Sequence, residues 1–143
     1  MKRILNNKII LAILILGMIA GCTNTARKAF ETDESQVKLR SIQTRAFDTT
    51  DKKMMMQNVI STMQDIDFVI DKADYLLGSV TGTKYYKNTI ITMSVTVRPR
   101  GEAQLLVRAS AQHGIKSVKD AQTYQDFFVA LEKSLFMSAH QVD

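Results

Sequence analysis

The sequence predicts an α+β domain: an antiparallel sheet of four or five strands with two amphipathic helices packed on one face. Three observations predict it. Thr89–Gln112 alternates apolar and polar side chains on either side of a turn sequence, the pattern of a hairpin with one buried face. Asp51–Asp65 and Asp120–Ala139 each repeat apolar side chains at intervals of three and four, the pattern of a helix with one buried stripe. All of these faces need cover, and two helices laid on the apolar side of one sheet provide it.

The chain begins with a segment of a different kind. Lys2 and Arg3, extended by Lys8, precede an almost wholly apolar run, Ile9–Ile19. This is the order of a secretory signal, and the run falls short of the roughly 20 residues needed to span a bilayer. It ends at Ile19-Ala20-Gly21-Cys22, which holds the only cysteine of the chain. Small residues directly before a cysteine, at the end of an apolar run, resemble the lipobox of bacterial lipoprotein signal peptides. The resemblance implies a diacylglyceryl group on the Cys22 sulfur, cleavage between Gly21 and Cys22, and acylation of the new amine. More than one acyl chain makes such attachment stable, each buried CH₂ contributing about 0.8 kcal/mol. Thr23, rather than Asp, follows the cysteine. In Gram-negative bacteria this implies transfer to the outer membrane, with the domain facing the periplasm.

Residues 23–37 are mostly polar and show no sustained period, so they are expected to be a flexible tether. Fully extended, such a segment reaches roughly 50 Å. The expected organisation is a signal peptide over 1–21, a lipidated N-terminus and tether over 22–37, and an α+β domain over 38–143. One domain is also what 143 residues allow.

Charge and cysteine usage exclude several classes. Nineteen Lys and Arg against fourteen Asp and Glu give a formal charge of +5. Three of those cations, Lys2, Arg3 and Lys8, belong to the leader and every acid lies beyond it, which leaves sixteen against fourteen, or +2. No basic cluster is interleaved with aromatics, so nucleic acid is not an expected partner. A single cysteine excludes an intramolecular disulfide and a Cys-based zinc site.

Within the domain, Lys38–Phe47 is expected to form a first strand carrying Leu39, Ile42, Thr44, Ala46 and Phe47. Asp48-Thr49-Thr50-Asp51 offers helix N-caps, with acids near the positive end of the coming dipole. The first helix follows over Asp51–Asp65. Met55, Met56, Val59, Ile60, Met63 and Ile66 form its core stripe, and Lys52, Lys53, Gln57, Asn58, Ser61 and Gln64 its solvated face. A methionine stripe at helical spacing is core material before it is a soft-metal site.

Asp67–Lys72 is expected to be a strand, Ala73–Gly78 a connector and Ser79–Tyr85 another strand. Tyr86-Lys87-Asn88 then makes a turn. The hairpin follows, with Ile91, Met93, Val95 and Val97 on its inner face and Thr92, Ser94, Thr96 and Arg98 on its outer face. Pro99-Arg100-Gly101-Glu102 is the turn, with Pro at the first central position. The returning strand points Leu105, Val107, Ala109 and Ala111 inward and Arg108, Ser110 and Gln112 outward. His113–Lys119 is a loop. Ser117-Val118-Lys119-Asp120 has the form of a capping box. The last helix, Asp120–Ala139, carries Tyr124, Phe127, Phe128, Leu131 and Leu135 in one stripe, with Ser138 at its end and Ala130 and Phe136 flanking. The element order is β-α-β-β-β-β-α, or β-α-β-β-β-α if Asp67–Tyr85 is one bent strand.

That order, behind a lipobox, resembles the helix-grip domains of the outer-membrane assembly lipoprotein family BamC over roughly Lys38–Ala139. The stretches Arg45–Asp51 and Thr96–Gly101 are also similar to uncharacterised proteobacterial outer-membrane lipoproteins. The resemblance implies a protein of the cell envelope, and the lack of a catalytic constellation behind the anchor signal leads to the expectation of a non-enzymatic one.

The residues carry no competing chemistry. His113 and His140 lie far apart and lack i+3 or i+4 ligand partners. Asp65-Ile66-Asp67 begins like a calcium loop, but Val69 and Ile70 break it. No phosphate cradle, nucleophile elbow or zinc-protease motif is present. No catalytic residue, metal or cofactor is expected. What remains is surface. The open sheet face is expected to show Ser79, Thr81 and Thr83 beside Thr92, Ser94, Thr96, Arg108 and Ser110. Arg98 and Arg100 at the hairpin tip, with Lys84 and Lys87 at the neighbouring turn, are basic groups suited to lipid headgroups or an acidic protein. The candidate partner-binding residues are therefore Arg98, Arg100 and Arg108. The expected function is a membrane-anchored accessory or scaffold in an envelope assembly, secretion or transport complex. The alternative is a binding module for lipid, lipopolysaccharide or peptidoglycan.

Overall fold

In the computed structural model of the protein the described residues are 35–140, without the side chains of Tyr86, Ala139 and His140. The expected signal peptide, the Gly21–Cys22 cleavage site and most of the tether lie outside them. From Leu39 onward the chain forms one compact unit.

The sheet is antiparallel throughout its paired strands. Its elements are β1 (Thr44–Phe47), β2 (Val69–Asp74), β3 (Ser79–Tyr86), β4 (Thr89–Arg100), β5 (Gln104–His113) and β6 (Lys116–Ser117). The spatial order is β1-β5-β4-β3-β2, and β6 also pairs with β5. A helix over residues 35–42, α1, precedes β1. Helix α2 (Lys52–Asp65) follows β1, and α3 (Ala121–His140) closes the fold. The α+β class and the antiparallel sheet are as the sequence predicts; the strands number six and the helices three among the described residues.

Several boundaries differ, each for a physical reason. The expected strand over Lys38–Phe47 is helical to Ile42 and extended only from Thr44. Leu39 and Ile42, three apart, lie on one helical face and pack against the core. The helix also takes in residues 35–37, assigned above to the tether. Asp67–Tyr85 is two strands rather than one bent strand, because Gly78 takes φ +66° in the turn between them. The order is therefore not β-α-β-β-β-α. Pro99 and Arg100 belong to β4, pairing with Leu105 and Gln104, and the turn is residues 101–103. The Val97 amide donates to Gly78 O at 2.8 Å, so the position two residues on, Pro99, faces the same side, where β3 has already ended. A missing N–H costs nothing there. The expected loop after Gln112 folds back as β6. Asp120 itself caps α3, in place of a capping box from Ser117.

The core lies between the sheet and the helices. Met55, Met56, Val59 and Met63 of α2 and Tyr124, Phe127, Phe128 and Leu131 of α3 are fully buried with Met93, Val95, Val97, Val107 and Ala109. Phe127 and Phe128 meet edge to face, with ring centroids 5.2 Å apart. Arg45 stacks over Phe128 at 4.9 Å and pairs with Glu132 at 2.6 Å, which ties β1 to α3. Asp51 caps α2, its Oδ1 accepting from the Met54 amide at 2.8 Å.

One expected solvated position is buried. Asn58 is only 5% exposed. Its Oδ1 accepts hydrogen bonds from Ser134 Oγ at 2.7 Å and Ser138 Oγ at 2.8 Å, and its Nδ2 donates to Met54 O at 2.9 Å. The polar side of α2 thus faces a serine pair one turn apart on α3.

Candidate functional site

The face of the sheet away from the helices carries a shallow groove of about 380 Å³ lined by Ser94, Thr96, Arg98, Leu106, Arg108 and Ser110. Three successive rungs between β4 and β5 build it: Ser94 opposite Ser110, Thr96 opposite Arg108, and Arg98 opposite Leu106. Strand alternation puts all six on one face because their inward neighbours Val95, Val97, Val107 and Ala109 are held in the core.

The rungs continue sideways. Asp74, Ser79, Thr96, Arg108 and Thr44 form one row across five strands, and Lys72, Thr81, Ser94 and Ser110 form the next. Thr81 Oγ1 and Ser94 Oγ share a hydrogen bond of 3.2 Å. Thr83 Oγ1 donates to Asp71 Oδ2 at 2.7 Å. Every residue that the sequence assigns to the open face occupies it.

The groove is cationic. Its lining holds two guanidiniums and no carboxylate. Arg98 and Arg108 sit on diagonal positions of adjacent rungs, a separation of about 7–8 Å. Each guanidinium offers a planar fork of donors matched to carboxylate or phosphate oxygens, and the flanking hydroxyls add donors that rotate to suit. Arg108 Nη2 donates to Gln43 Oε1 at 3.4 Å, a long contact that engages one of the five N–H donors of the guanidinium. Leu106 supplies an apolar floor. Its place was marked in the sequence, where Leu105-Leu106 interrupts the alternation of β5.

The three candidate arginines do not all converge. Arg98 and Arg108 line the groove, whereas Arg100 lies one rung further on, opposite Gln104. The expected partnership of Arg98 and Arg100 with Lys84 and Lys87 does not form. Lys87 is in the β3–β4 turn, at the opposite end of β4 from Arg100. Lys84 points to the helix side, where its Nζ donates to Ile66 O at 2.9 Å and Asp67 Oδ2 at 3.2 Å.

The acids in and just before β2 serve separate local partners. Asp67 pairs with Lys84, Asp71 accepts from Thr83, and Asp74 accepts from the Leu77 amide. Among the described residues no three His, Cys, Asp or Glu side chains are grouped to hold a metal ion. His113 closes β5 opposite Ile91 and Lys116 and is exposed. Among the described residues Asp120 is the titrating group with a clear shift: the Thr123 hydroxyl, then the Thr123 amide, hold its carboxyl below the ordinary carboxylate range. No described helix is long and apolar enough to cross a membrane. No protein-family model matches the chain, and no curated protein matches it significantly.

Proposed function

We propose that the chain is a lipid-anchored outer-membrane protein whose periplasmic domain, without enzymatic activity, is an accessory of an envelope complex and receives an anionic protein partner on its open sheet face. The observation that carries the docking part is the groove itself, in which Arg98, Arg108 and four further side chains make a cationic surface with no acid among them. The anchoring part rests on Ile19-Ala20-Gly21-Cys22. A second reading takes the occupant to be an anionic envelope ligand. The two guanidinium forks beside rotatable hydroxyls favour it, because they match the oxygens of a carboxylate or phosphate.

The test is photocrosslinking in living cells from a photoreactive residue at Ser110, with mass spectrometry of the adducts. One dominant protein adduct, lost in an Arg98→Ala/Arg108→Ala background, supports the accessory role. Lipid or glycan adducts alone transfer the groove to the ligand reading. No adduct of any kind overturns both. For the anchor, Cys22→Ala should abolish palmitate labelling and leave an unprocessed precursor; persistent labelling refutes it.

A further inference from the structure

The β2–β3 hairpin holds three large apolar side chains out into water. Tyr75 is 47% exposed, Leu76 90% and Leu77 68%. They are consecutive, and they sit on a built turn. Asp74 Oδ1 accepts from the Leu77 amide at 2.9 Å, Lys52 Nζ donates to Leu76 O at 3.1 Å, and Gly78 O accepts from the Val97 amide at 2.8 Å. Gly78 allows the turn its left-handed φ, and a Cβ there would lie 2.4 Å from Val97 O. Backbone bonding on both flanks fixes the tip in a shape that keeps its leucines outside the core.

The surroundings are cationic on both sides. Lys52 and Lys53, at the start of α2, share a recess with Tyr75. Val97 lies level with Gly78, so Arg98 and Arg100 extend β4 past the base of the turn on the sheet side, both exposed. The nearest acids of the tip and helix start are turned to backbone amides, Asp74 to Leu77 and Asp51 to Met54. An apolar tip ringed by long basic side chains has the chemistry of a membrane interface. The leucines enter the acyl boundary while the ammonium and guanidinium groups stay at the level of anionic headgroups.

We propose that the Tyr75-Leu76-Leu77 tip inserts into the surface of an anionic phospholipid bilayer, a second and reversible contact beside the N-terminal lipid. The inference goes beyond the groove reading and draws on the anchor only to bring the tip to a bilayer. It gives the domain an orientation on the membrane that a tether alone does not impose.

The chain has no tryptophan, so a single Trp reports its own surroundings. The experiment uses full-length protein in vesicles of phosphatidylcholine and phosphatidylglycerol with brominated acyl chains, comparing Leu76→Trp with Ile115→Trp. Ile115 is fully exposed in the β5–β6 turn, at the opposite end of the sheet. The expected result is blue-shifted, bromine-quenched emission for Leu76→Trp and water-like emission for Ile115→Trp. Quenching should fall in pure phosphatidylcholine and in a Lys53→Glu/Arg100→Glu background. Equal emission from the two probes overturns the proposal. So does a blue shift of Leu76→Trp that grows with protein concentration without vesicles, which would mean that a second copy covers the tip. Flotation of the vesicles separates the two contacts. Protein that floats with an unquenched tip refutes the tip alone, and quenching of Leu76→Trp that is lost in pure phosphatidylcholine while the protein still floats supports it independently of the anchor.

Discussion

The hydroxyl of Tyr124 accepts a hydrogen bond from the Ala111 amide at 3.2 Å, at the point where the outer edge of the sheet is interrupted. Strands β1 and β6 share that edge of β5, one pairing with residues 105–108 and the other with 112–113. Between them Ala109 N donates to Gln43 O and Val118 N donates to Ala111 O, which leaves the Ala111 amide facing a gap. Tyr124 fills it, donating onward to Val118 O at 2.7 Å and accepting from Gln43 Nε2 at 3.0 Å. A helix side chain thus completes a sheet edge.

Tyr124→Phe keeps the ring in the core and removes this junction. The Ala111 amide and the Gln43 amide group lose their acceptor in a buried place. The expected cost is about 1–3 kcal/mol, read from chemical denaturation. Hydrogen exchange should locate the damage, with the Ala111 amide losing protection more than amides in the middle of β4. A uniform loss across the sheet would show that Tyr124 acts as packing only.

The parts of the fold that were legible were those with a sustained period. Strands β4 and β5 alternate between their breaks at Ile90-Ile91 and Leu105-Leu106, so their inward and outward sets, and with them Ser94, Thr96, Arg98, Arg108 and Ser110 of the groove, follow from sequence. Helix α2 announces itself through Asp51 and the methionine stripe. Strand β6 is two residues long and carries no pattern; it exists because the Gly114-Ile115 turn returns the chain to β5. Asn58 sits on the polar side of α2, and only the arrival of Ser134 and Ser138 buries it. Tyr75-Leu76-Leu77 is the opposite case. The sequence places these three apolar residues in the connector Ala73–Gly78, and their exposure is decided by the turn that Asp74 and Gly78 impose.

Gly82→Ala should destabilise the domain although Gly82 lies in a strand with an ordinary φ. A Cβ there would be 2.9 Å from both Val69 O and Met63 Cε. The methionine terminus can rotate away, but the carbonyl belongs to the neighbouring strand and cannot. The expected loss is about 1–3 kcal/mol by denaturant titration. Adding Met63→Ala should not restore it; a full rescue would mean that the side chain, and not the sheet, sets the limit.

The Asn58–Ser134 bond joins α2 to α3. A double-mutant cycle with Asn58→Ala and Ser134→Ala should show a coupling of about 1 kcal/mol, since each single change removes the same hydrogen bond. Additive effects would mean that the serines find other partners as soon as Asn58 is gone.

Asp120 gives the fold a dependence on acid pH. The Thr123 hydroxyl and amide favour its ionised form, so its folded pKa lies below the unfolded value of about 3.9. The folded state releases this proton more readily than the unfolded chain. Its stabilising effect is therefore fully present above the unfolded pKa and is lost as pH falls through the folded one. Thermal melts below pH 5 should show a smaller drop in Tm for Asp120→Asn than for the parent protein. Parallel curves would assign the acid sensitivity to other carboxylates.

Replacing Arg98 and Arg108 together by Ala should separate function from stability. Both side chains are exposed, and the Arg108–Gln43 contact of 3.4 Å is too long to hold the fold. The change in unfolding free energy should stay within about 1 kcal/mol, since the hydrogen bond given up is the long one to Gln43. Binding of an anionic partner should weaken markedly, because the groove would lose both of its formal charges and keep its hydroxyls and Leu106. That loss should also flatten the salt dependence of binding, since fewer charges remain to be screened. A domain that unfolds instead would show that the arginines hold the sheet together; one that binds as before would move the docking site off this face.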